Sequence, residues 1–142
     1  MQPGSFYSRH VASGLYLLQR RQRTADRDAR AAQAALHEMG RSHDLVARYG
    51  GEEFVCLLPD SDLAGARGKA EALRLAIEVL GIPHETSPTA DVVTISIGVA
   101  AWIPDGATSH NHLLAAADAA LYAAKKGGRN RTCAATVAPS CP

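Results

Sequence analysis

Residues 44–58, DLVARYGGEEFVCLL, contain two short apolar runs separated by a pair of glycines. The two runs, residues 44–49 and residues 53–58, have the length and composition of β-strands. A Gly-Gly step between such runs is typical of a tight turn, because glycine adopts the positive φ angles that hairpin turns require. This stretch therefore predicts a β-hairpin with Gly50 and Gly51 at its tip.

The tip of the hairpin also carries two adjacent carboxylates, Glu52 and Glu53. Glycines lack side chains, so a phosphate or a ribose can approach their backbone closely, and carboxylate oxygens are ligands that suit Mg²⁺. Two interpretations fit the tip on its own. One is a site for a nucleoside triphosphate, and the other is a plain exposed hairpin whose glutamates keep it soluble.

A helix and a further strand are predicted downstream of the hairpin. Apolar residues recur there at steps of three or four, which predicts one apolar helix face, formed by Leu63, Ala66, Ala70, Leu73, Ile77 and Leu80. Asp60 or Asp62 is available to cap this helix, and Gly81 ends it. In residues 92–100, VVTISIGVA, apolar residues alternate with small or polar ones, which predicts a strand with one face in the core.

The C-terminal part predicts a second helix and an edge strand. The apolar face of the helix consists of Leu113, Ala117, Ala120, Leu121 and Ala124. Gly127 and Gly128 end this helix, as glycines commonly do. We expect residues 131–137 to form an edge strand and the tail at 138–142 to be loose.

Two further pairs of charged residues are candidates for binding. Lys125 and Arg129 flank the second glycine pair, where cations either favour the helix dipole or neutralise a polyphosphate. Arg41 and Asp44 lie in RSHD, just before the hairpin. An Arg and an Asp three residues apart are common by chance and usually form a surface ion pair that contributes little stability.

The first forty residues show a weaker pattern. Residues 30–39 are alanine-rich and helix-like, with Gly40 as a stop. Residues 1–23 show neither a clear hydrophobic period nor turn residues, so no element is predicted there.

The composition of the chain restricts its function class. Its 142 residues fit a single domain, and 46% hydrophobic with 20% charged residues is typical of a globular chain. A formal net charge of +1 argues against a protein that coats DNA or an anionic membrane. No stretch approaches the roughly 20 apolar residues that cross a bilayer, so we expect no membrane span and a cytoplasmic location.

Three motifs in order resemble the GGDEF domain of diguanylate cyclases. They are RYGGEEF at 48–54, VTISIGVA at 93–100 and ADAALYAAKKGGRN at 117–130, and GGEEF is an accepted spelling of the family signature. The resemblance covers residues 44–131. It implies an α+β fold in which helices pack on an antiparallel-rich sheet, like the ferredoxin-like palm of nucleotidyl cyclases.

The resemblance implies an enzyme that condenses two GTP into cyclic di-GMP and two pyrophosphates, with one half-site from each domain of a homodimer. Glu52 would bind Mg²⁺ or Mn²⁺ and accept the proton of the attacking 3′-hydroxyl, and Glu53 would support the metal site. Gly50 and Gly51 would let GTP lie on the hairpin.

The same resemblance assigns both pairs of charged residues. Lys125 and Arg129 match the phosphate-binding pair of the family, whose charge would stabilise the leaving pyrophosphate. Arg41 and Asp44 match the RxxD pattern of the inhibitory site, where the product cyclic di-GMP binds.

The front of the domain departs from the family pattern. GGDEF domains begin with a central strand that ends in a metal-binding Asp, followed by FKxxND and GHxxGD. By the family spacing, the metal Asp falls near Arg9, the guanine-reading Asn near Leu17 and the family His near Gln22. Asp26 alone keeps a matching residue and would contact guanine.

We therefore expect a partial GGDEF domain over residues 24–137, with residues 1–23 unassigned and the first central strand missing. Two-metal phosphoryl transfer needs both sides of the metal cage, so we expect the turnover of this chain to be impaired.

Two other functions remain open. One is a catalytically inactive module that binds cyclic di-GMP through Arg41 and Asp44. The family often adds an arginine from the following helix to that site; here Ala72 stands near that position, with Arg67 and Arg74 close by. The other is a non-binding remnant that serves only as a dimerisation surface.

Overall fold

The structure is a computed structural model, and it describes residues 13–20, 34–35, 37–38, 45–50, 53–59, 61–84, 90–102 and 110–136. The named elements in these ranges are β1 (Ser13–Arg20), β2 (Leu45–Gly50), β3 (Glu53–Leu58), α1 (Leu63–Val79), β4 (Ile95–Trp102), α2 (His110–Lys126) and β5 (Thr132–Thr136). Residues 34, 35, 37 and 38 are also helical, within the helix predicted for residues 30–39.

The five strands form one sheet in the order β2-β3-β1-β4-β5. Three of the neighbouring pairs are antiparallel, and β4 and β5 run parallel. β2 and β3 form the predicted hairpin, and β5 is the predicted edge strand. The expected α+β fold with an antiparallel-rich sheet is therefore confirmed.

The centre of this sheet is occupied by β1, so the prediction of a missing central strand is not confirmed. Leu17 in the middle of β1 pairs with Val55 on one side and with Gly98 on the other. The strand reads SGLYLLQR, with an unbroken apolar run from Leu15 to Leu18. A central strand that is covered by helices does not have to alternate between apolar and polar residues. The period-two pattern that predicts a half-buried strand is therefore absent from β1.

The two helices pack on opposite faces of the sheet, because successive strand residues point to opposite sides. The core under α1 contains Phe54, Cys56, Leu58, Ala66, Ala70, Leu73, Ile77, Val93, Ile95, Ile97 and Val99. The core under α2 contains Ala100, Leu113, Ala117 and Leu121. Both predicted helix faces are buried, apart from Leu63, which is partly buried, and Leu80, which is 53% exposed.

β4 is buried on both faces, whereas its alternation predicted one face in the core. Its bulky residues lie under α1, and the small residues Ser96, Gly98 and Ala100 point to the other side and are also buried. At Gly98 the helix α2 comes so near that an added Cβ would lie closer than 3.0 Å to the Ala117 carbonyl oxygen and the Leu121 amide nitrogen. The small residues therefore permit a close helix contact.

The ends of α1 agree with the sequence prediction. Asp62 is the N-cap, and its Oδ1 accepts a hydrogen bond of 2.7 Å from the amide of Gly65. Gly81, with φ of 62°, follows the helix in the left-handed region. Neither α1 nor α2, nor any other helix in the described ranges, is long and apolar enough to cross a membrane.

Candidate functional site

One end of the sheet brings together the hairpin tip and the turn that follows α2. At this end Gln19 pairs with Glu53, and Arg20 pairs with Ile95, the first residue of β4. Because β5 runs parallel to β4, its first residue Thr132 lies at the same end. Gly50, which pairs with Glu53, lies there as well. The two regions that the sequence proposes as a nucleotide site thus share one end of the sheet.

The lateral separation of these two regions follows from the strand order. β1 and β4 lie between β3 and β5. Neighbouring strands are about 4.8 Å apart, so the three steps from β3 to β5 span about 14 Å. A ligand that contacts both the hairpin and the turn must therefore be elongated, as a nucleoside triphosphate is.

The hairpin contributes Gly50 and Glu53 from the described part of the site. The register of β2 against β3 shifts between Arg48 and Gly50, as in a β-bulge, and bulges often re-aim residues next to active sites. Glu53 is half-buried at the start of β3. The other predicted residues of the nucleotide site, Gly51, Glu52 and Asp26, lie outside the described residues, and so do Arg41 and Asp44 of the proposed inhibitory site.

The turn after α2 has three consecutive residues with positive φ. The angle is 115° at Gly128, 62° at Arg129 and 44° at Asn130. A left-handed conformation costs a residue with a side chain about 1–2 kcal/mol, although Asn tolerates it better than most. The Arg129 amide donates a 3.0 Å hydrogen bond to the Ala124 carbonyl oxygen and so ties the turn to the helix.

This turn gathers positive charge at the C-terminal end of α2. Lys125 and Arg129 are half-buried, and within the described residues neither side chain forms an ion pair. Arg131 donates from its Nε to the Arg129 carbonyl oxygen at 3.1 Å, and the Lys126 ammonium lies 5.3 Å from the centre of the Tyr122 ring. Cations at a helix C-terminus favour the dipole, and this group of four is also suited to a polyphosphate.

A polar cluster on α1 supports the turn, and sequence reasoning missed it as a part of the site. We call it the Arg74 cluster; it consists of Glu71, Arg74, Glu78 and Asn130. Arg74 donates from Nη1 to Glu78 Oε2 and to Asn130 Oδ1, each at 2.8 Å. Its Nε and Nη2 donate to Glu71 at 2.6–3.1 Å. Asn130 completes the cluster by donating from Nδ2 to Glu78 Oε2 at 3.2 Å.

The electrostatics of the Arg74 cluster follow from these contacts. Hydrogen bonding to Arg74 holds the pKa of Glu71 below its ordinary value of 4.5, and the Glu71 carboxylate raises the pKa of Arg74. The helical spacing of Glu71, Arg74 and Glu78 was a visible signal for a salt-bridge network. The contact between Arg74 and Asn130 could not be predicted from the sequence, because the two residues are 56 positions apart.

The described residues alone do not complete a metal site. In the ranges that the structure describes, no group of three or more His, Cys, Asp and Glu side chains lies close enough together to hold a metal ion. Glu53 is the described carboxylate of the hairpin signature, and its neighbour Glu52 is outside the described residues.

Comparison with known proteins gives consistent family matches. The profile of the family described as "Diguanylate cyclase, GGDEF domain" matches residues 22–131. The chain is 46% identical over 92 residues to the response regulator PleD of Caulobacter vibrioides, covering 63% of this chain and 20% of PleD. It is 42% identical over 103 residues to the diguanylate cyclase DgcM of Escherichia coli K12, covering 70% of this chain and 23% of DgcM. The chain thus spans about a fifth to a quarter of these relatives.

Among solved structures, the chain is similar to the GGDEF domain of DgcB from Caulobacter crescentus, crystallised in complex with c-di-GMP. The TM-score is 0.74 at 27% sequence identity, and the match covers 87% of this chain and 78% of that chain.

Proposed function

This chain belongs to the GGDEF family of diguanylate cyclases, and from that premise we propose that it converts two GTP into cyclic di-GMP and two pyrophosphates. In each of two steps, a 3′-hydroxyl oxygen forms a bond to the α-phosphorus of the other guanine nucleotide. The bond from that phosphorus to the pyrophosphate oxygen breaks, and the hydroxyl proton passes to Glu52.

The observation that supports this proposal best is the shared end of the sheet. The hairpin and the cationic turn lie about 14 Å apart there, so one GTP can contact both. In the proposed arrangement Gly50 and Gly51 receive the nucleotide, and Asp26 contacts guanine. Lys125 and Arg129 stabilise the charge that develops on the leaving pyrophosphate.

We expect the turnover of this chain to be slow. Glu52 is the carboxylate that would hold Mg²⁺ or Mn²⁺, whose charge would neutralise the triphosphate, and Glu53 would support it. Mg²⁺ dehydrates reluctantly, so a site without the second family carboxylate binds it weakly. The central strand β1 ends in Gln19 and Arg20, so no carboxylate stands at the end of the strand, where the family has its metal-binding Asp.

Catalysis further requires a homodimer. Each domain holds one GTP at the end of its sheet, and the 3′-hydroxyl of one nucleotide must meet the α-phosphate of the other. Two copies of the chain must therefore pack so that the GTP-binding ends of their sheets face each other.

The test of the proposed reaction is the substitution Glu52→Ala. Purified wild-type chain incubated with GTP and Mg²⁺ should form cyclic di-GMP, measured by chromatography. Loss of the proton acceptor should lower the rate at least about 100-fold. Glu38→Ala is the matched control, since Glu38 is exposed on a helical segment. Turnover that survives Glu52→Ala would place the chemistry at other residues.

The second candidate function is an inactive module that binds cyclic di-GMP through Arg41 and Asp44. Two observations favour it: the RxxD spacing of this pair and the complex of the similar DgcB domain with c-di-GMP. Such a receptor would bind the dinucleotide without producing it.

A chain whose melting temperature does not change with any nucleotide would instead be a dimerisation module.

A further inference from the structure

The Arg74 cluster joins α1 to the turn that carries Arg129, and we propose that Arg74 is a positioning residue for the triphosphate. It acts by holding the backbone of residues 129 and 130 in the conformation that presents Arg129. The inference rests on the proposed function, in which Arg129 binds phosphate.

The backbone of the turn has an unfavourable conformation. Arg129 and Asn130 both have positive φ, at 62° and 44°, directly after Gly128 at 115°. Such conformations persist where the surrounding structure holds them, and they concentrate at binding and catalytic sites. Something outside the turn must therefore hold it.

Asn130 is held at both the oxygen and the nitrogen of its side-chain amide. Its Oδ1 accepts a 2.8 Å hydrogen bond from Arg74 Nη1, and its Nδ2 donates at 3.2 Å to Glu78 Oε2. The same Nη1 also donates to Glu78 Oε2 at 2.8 Å, which closes a triangle of three side chains. The orientation of Asn130, and with it the left-handed turn, is thus set by α1.

Arg74 is itself fixed in position. Its side chain is only 13% exposed, and it forms ion pairs with Glu71 at 2.6 Å and with Glu78 at 2.8 Å. These two carboxylates sit one turn to either side of Arg74 on a 17-residue helix. Arg74 therefore fixes the turn relative to the rigid helix α1.

The charge balance beside the turn also depends on Arg74. The cluster contains two carboxylates and one guanidinium, so loss of Arg74 would remove the ion pairs that it forms with Glu71 and Glu78. Arg129 lies next to Asn130 in the chain, and the freed carboxylates would then compete with phosphate for its guanidinium. Arg74 thus keeps Arg129 available as well as positioned.

The first experiment measures the turn without any ligand. Amide hydrogen exchange at Arg129 reports its hydrogen bond to Ala124, and Arg74→Gln should accelerate that exchange about tenfold. Lys69→Gln is the matched control, because it removes a cation from the same helix outside the Arg74 cluster. Unchanged exchange at Arg129 in a folded Arg74→Gln chain would overturn the inference.

The second experiment measures the binding of inorganic tripolyphosphate by calorimetry. Arg74→Gln should weaken binding about tenfold, and the double variant Arg74→Gln with Arg129→Ala should bind no more weakly than Arg129→Ala alone. A purely structural role would lower the melting temperature and leave the affinity of the folded chain unchanged. Additive losses, or unchanged affinity in Arg74→Gln, would overturn the positioning role.

A third variant covers the case in which Arg74→Gln does not fold. Asn130→Gly keeps the positive φ and removes the side chain that Arg74 holds, so it should give the same faster exchange and weaker binding. If the wild-type chain binds no tripolyphosphate while Arg74→Gln still accelerates exchange at Arg129, the proposed function fails. The support that Arg74 gives to the turn would then stand.

Discussion

At the scale of one residue, Glu71 supports the cationic turn indirectly, because its carboxylate holds Arg74. Its carboxylate accepts three of the hydrogen bonds that Arg74 donates. Hydrogen bonding to Arg74 is the main cause of its lowered pKa. Because its side chain is 44% exposed, solvent screens part of this interaction.

The lowered pKa of Glu71 predicts how its contribution to stability depends on pH. A carboxyl group with a lower pKa in the folded than in the unfolded chain stabilises the fold above its ordinary pKa of 4.5. That stabilisation is lost as the pH falls through the lowered folded value. Wild-type chain should therefore melt at a higher temperature than Glu71→Gln at about pH 7, and the difference should shrink towards about pH 3.

Thermal unfolding followed by circular dichroism at several pH values measures this difference. Glu38→Gln, on an exposed helical position, controls for the loss of a surface carboxylate. If the difference in melting temperature between wild type and Glu71→Gln grew at acidic pH, it would contradict the lowered pKa of Glu71.

At the scale of elements, the contact between β4 and α2 depends on a single glycine. Gly98 has no room for a Cβ, because backbone atoms of Ala117 and Leu121 occupy that space. Backbone atoms cannot turn aside as a flexible side chain can, so an added methyl group must push the helix away from the sheet. α2 ends in the cationic turn, and its distance from the sheet therefore also affects the candidate site.

Two glycine-to-alanine substitutions should have opposite effects on the free energy of unfolding. Gly98→Ala should destabilise the fold by at least about 2 kcal/mol through overpacking. Gly68→Ala should stabilise it by about 0.5–1 kcal/mol, because Gly68 is exposed inside α1 and nothing lies within 4 Å of its added Cβ. Urea denaturation of both variants measures these changes. A neutral Gly98→Ala would contradict the close helix contact.

At the scale of the whole molecule, strand β2 runs between the hairpin tip and the residue that follows the proposed Arg41 and Asp44 pair. Gly50 ends β2 beside the hairpin tip, whereas Leu45, the residue after the proposed Arg41 and Asp44 pair, begins β2 at the opposite end. A six-residue strand spans about 17 Å between its first and last residues. The product site and the reaction site are therefore expected to act independently in binding.

Calorimetry with two ligands tests this independence. Arg41→Ala should weaken the binding of cyclic di-GMP at least about tenfold and leave that of inorganic tripolyphosphate unchanged. Arg129→Ala should do the opposite. If either variant weakens both ligands equally, the two sites are not separate. Cyclic di-GMP binding together with no product formation from GTP would favour the receptor function over the cyclase.

Local patterns in the sequence were sufficient to predict most of the helices and strands. The hairpin, both helices and the edge strand β5 were predicted, and Asp62 was one of the two candidates for the cap of α1, because each depends on residues close together in the chain. The motifs were also sufficient for the family. The roles of all the predicted site residues remain predictions, and Glu52, Asp26, Arg41 and Asp44 also lie outside the described ranges.

Other features were decided only by the tertiary structure. The place of β1 in the sheet and the burial of both faces of β4 depend on which elements cover them, and no local period reports that. The link from Arg74 to Asn130 joins residues 56 positions apart. The hairpin and the cationic turn share one end of the sheet because of strand direction and order, which are set by pairing between distant segments.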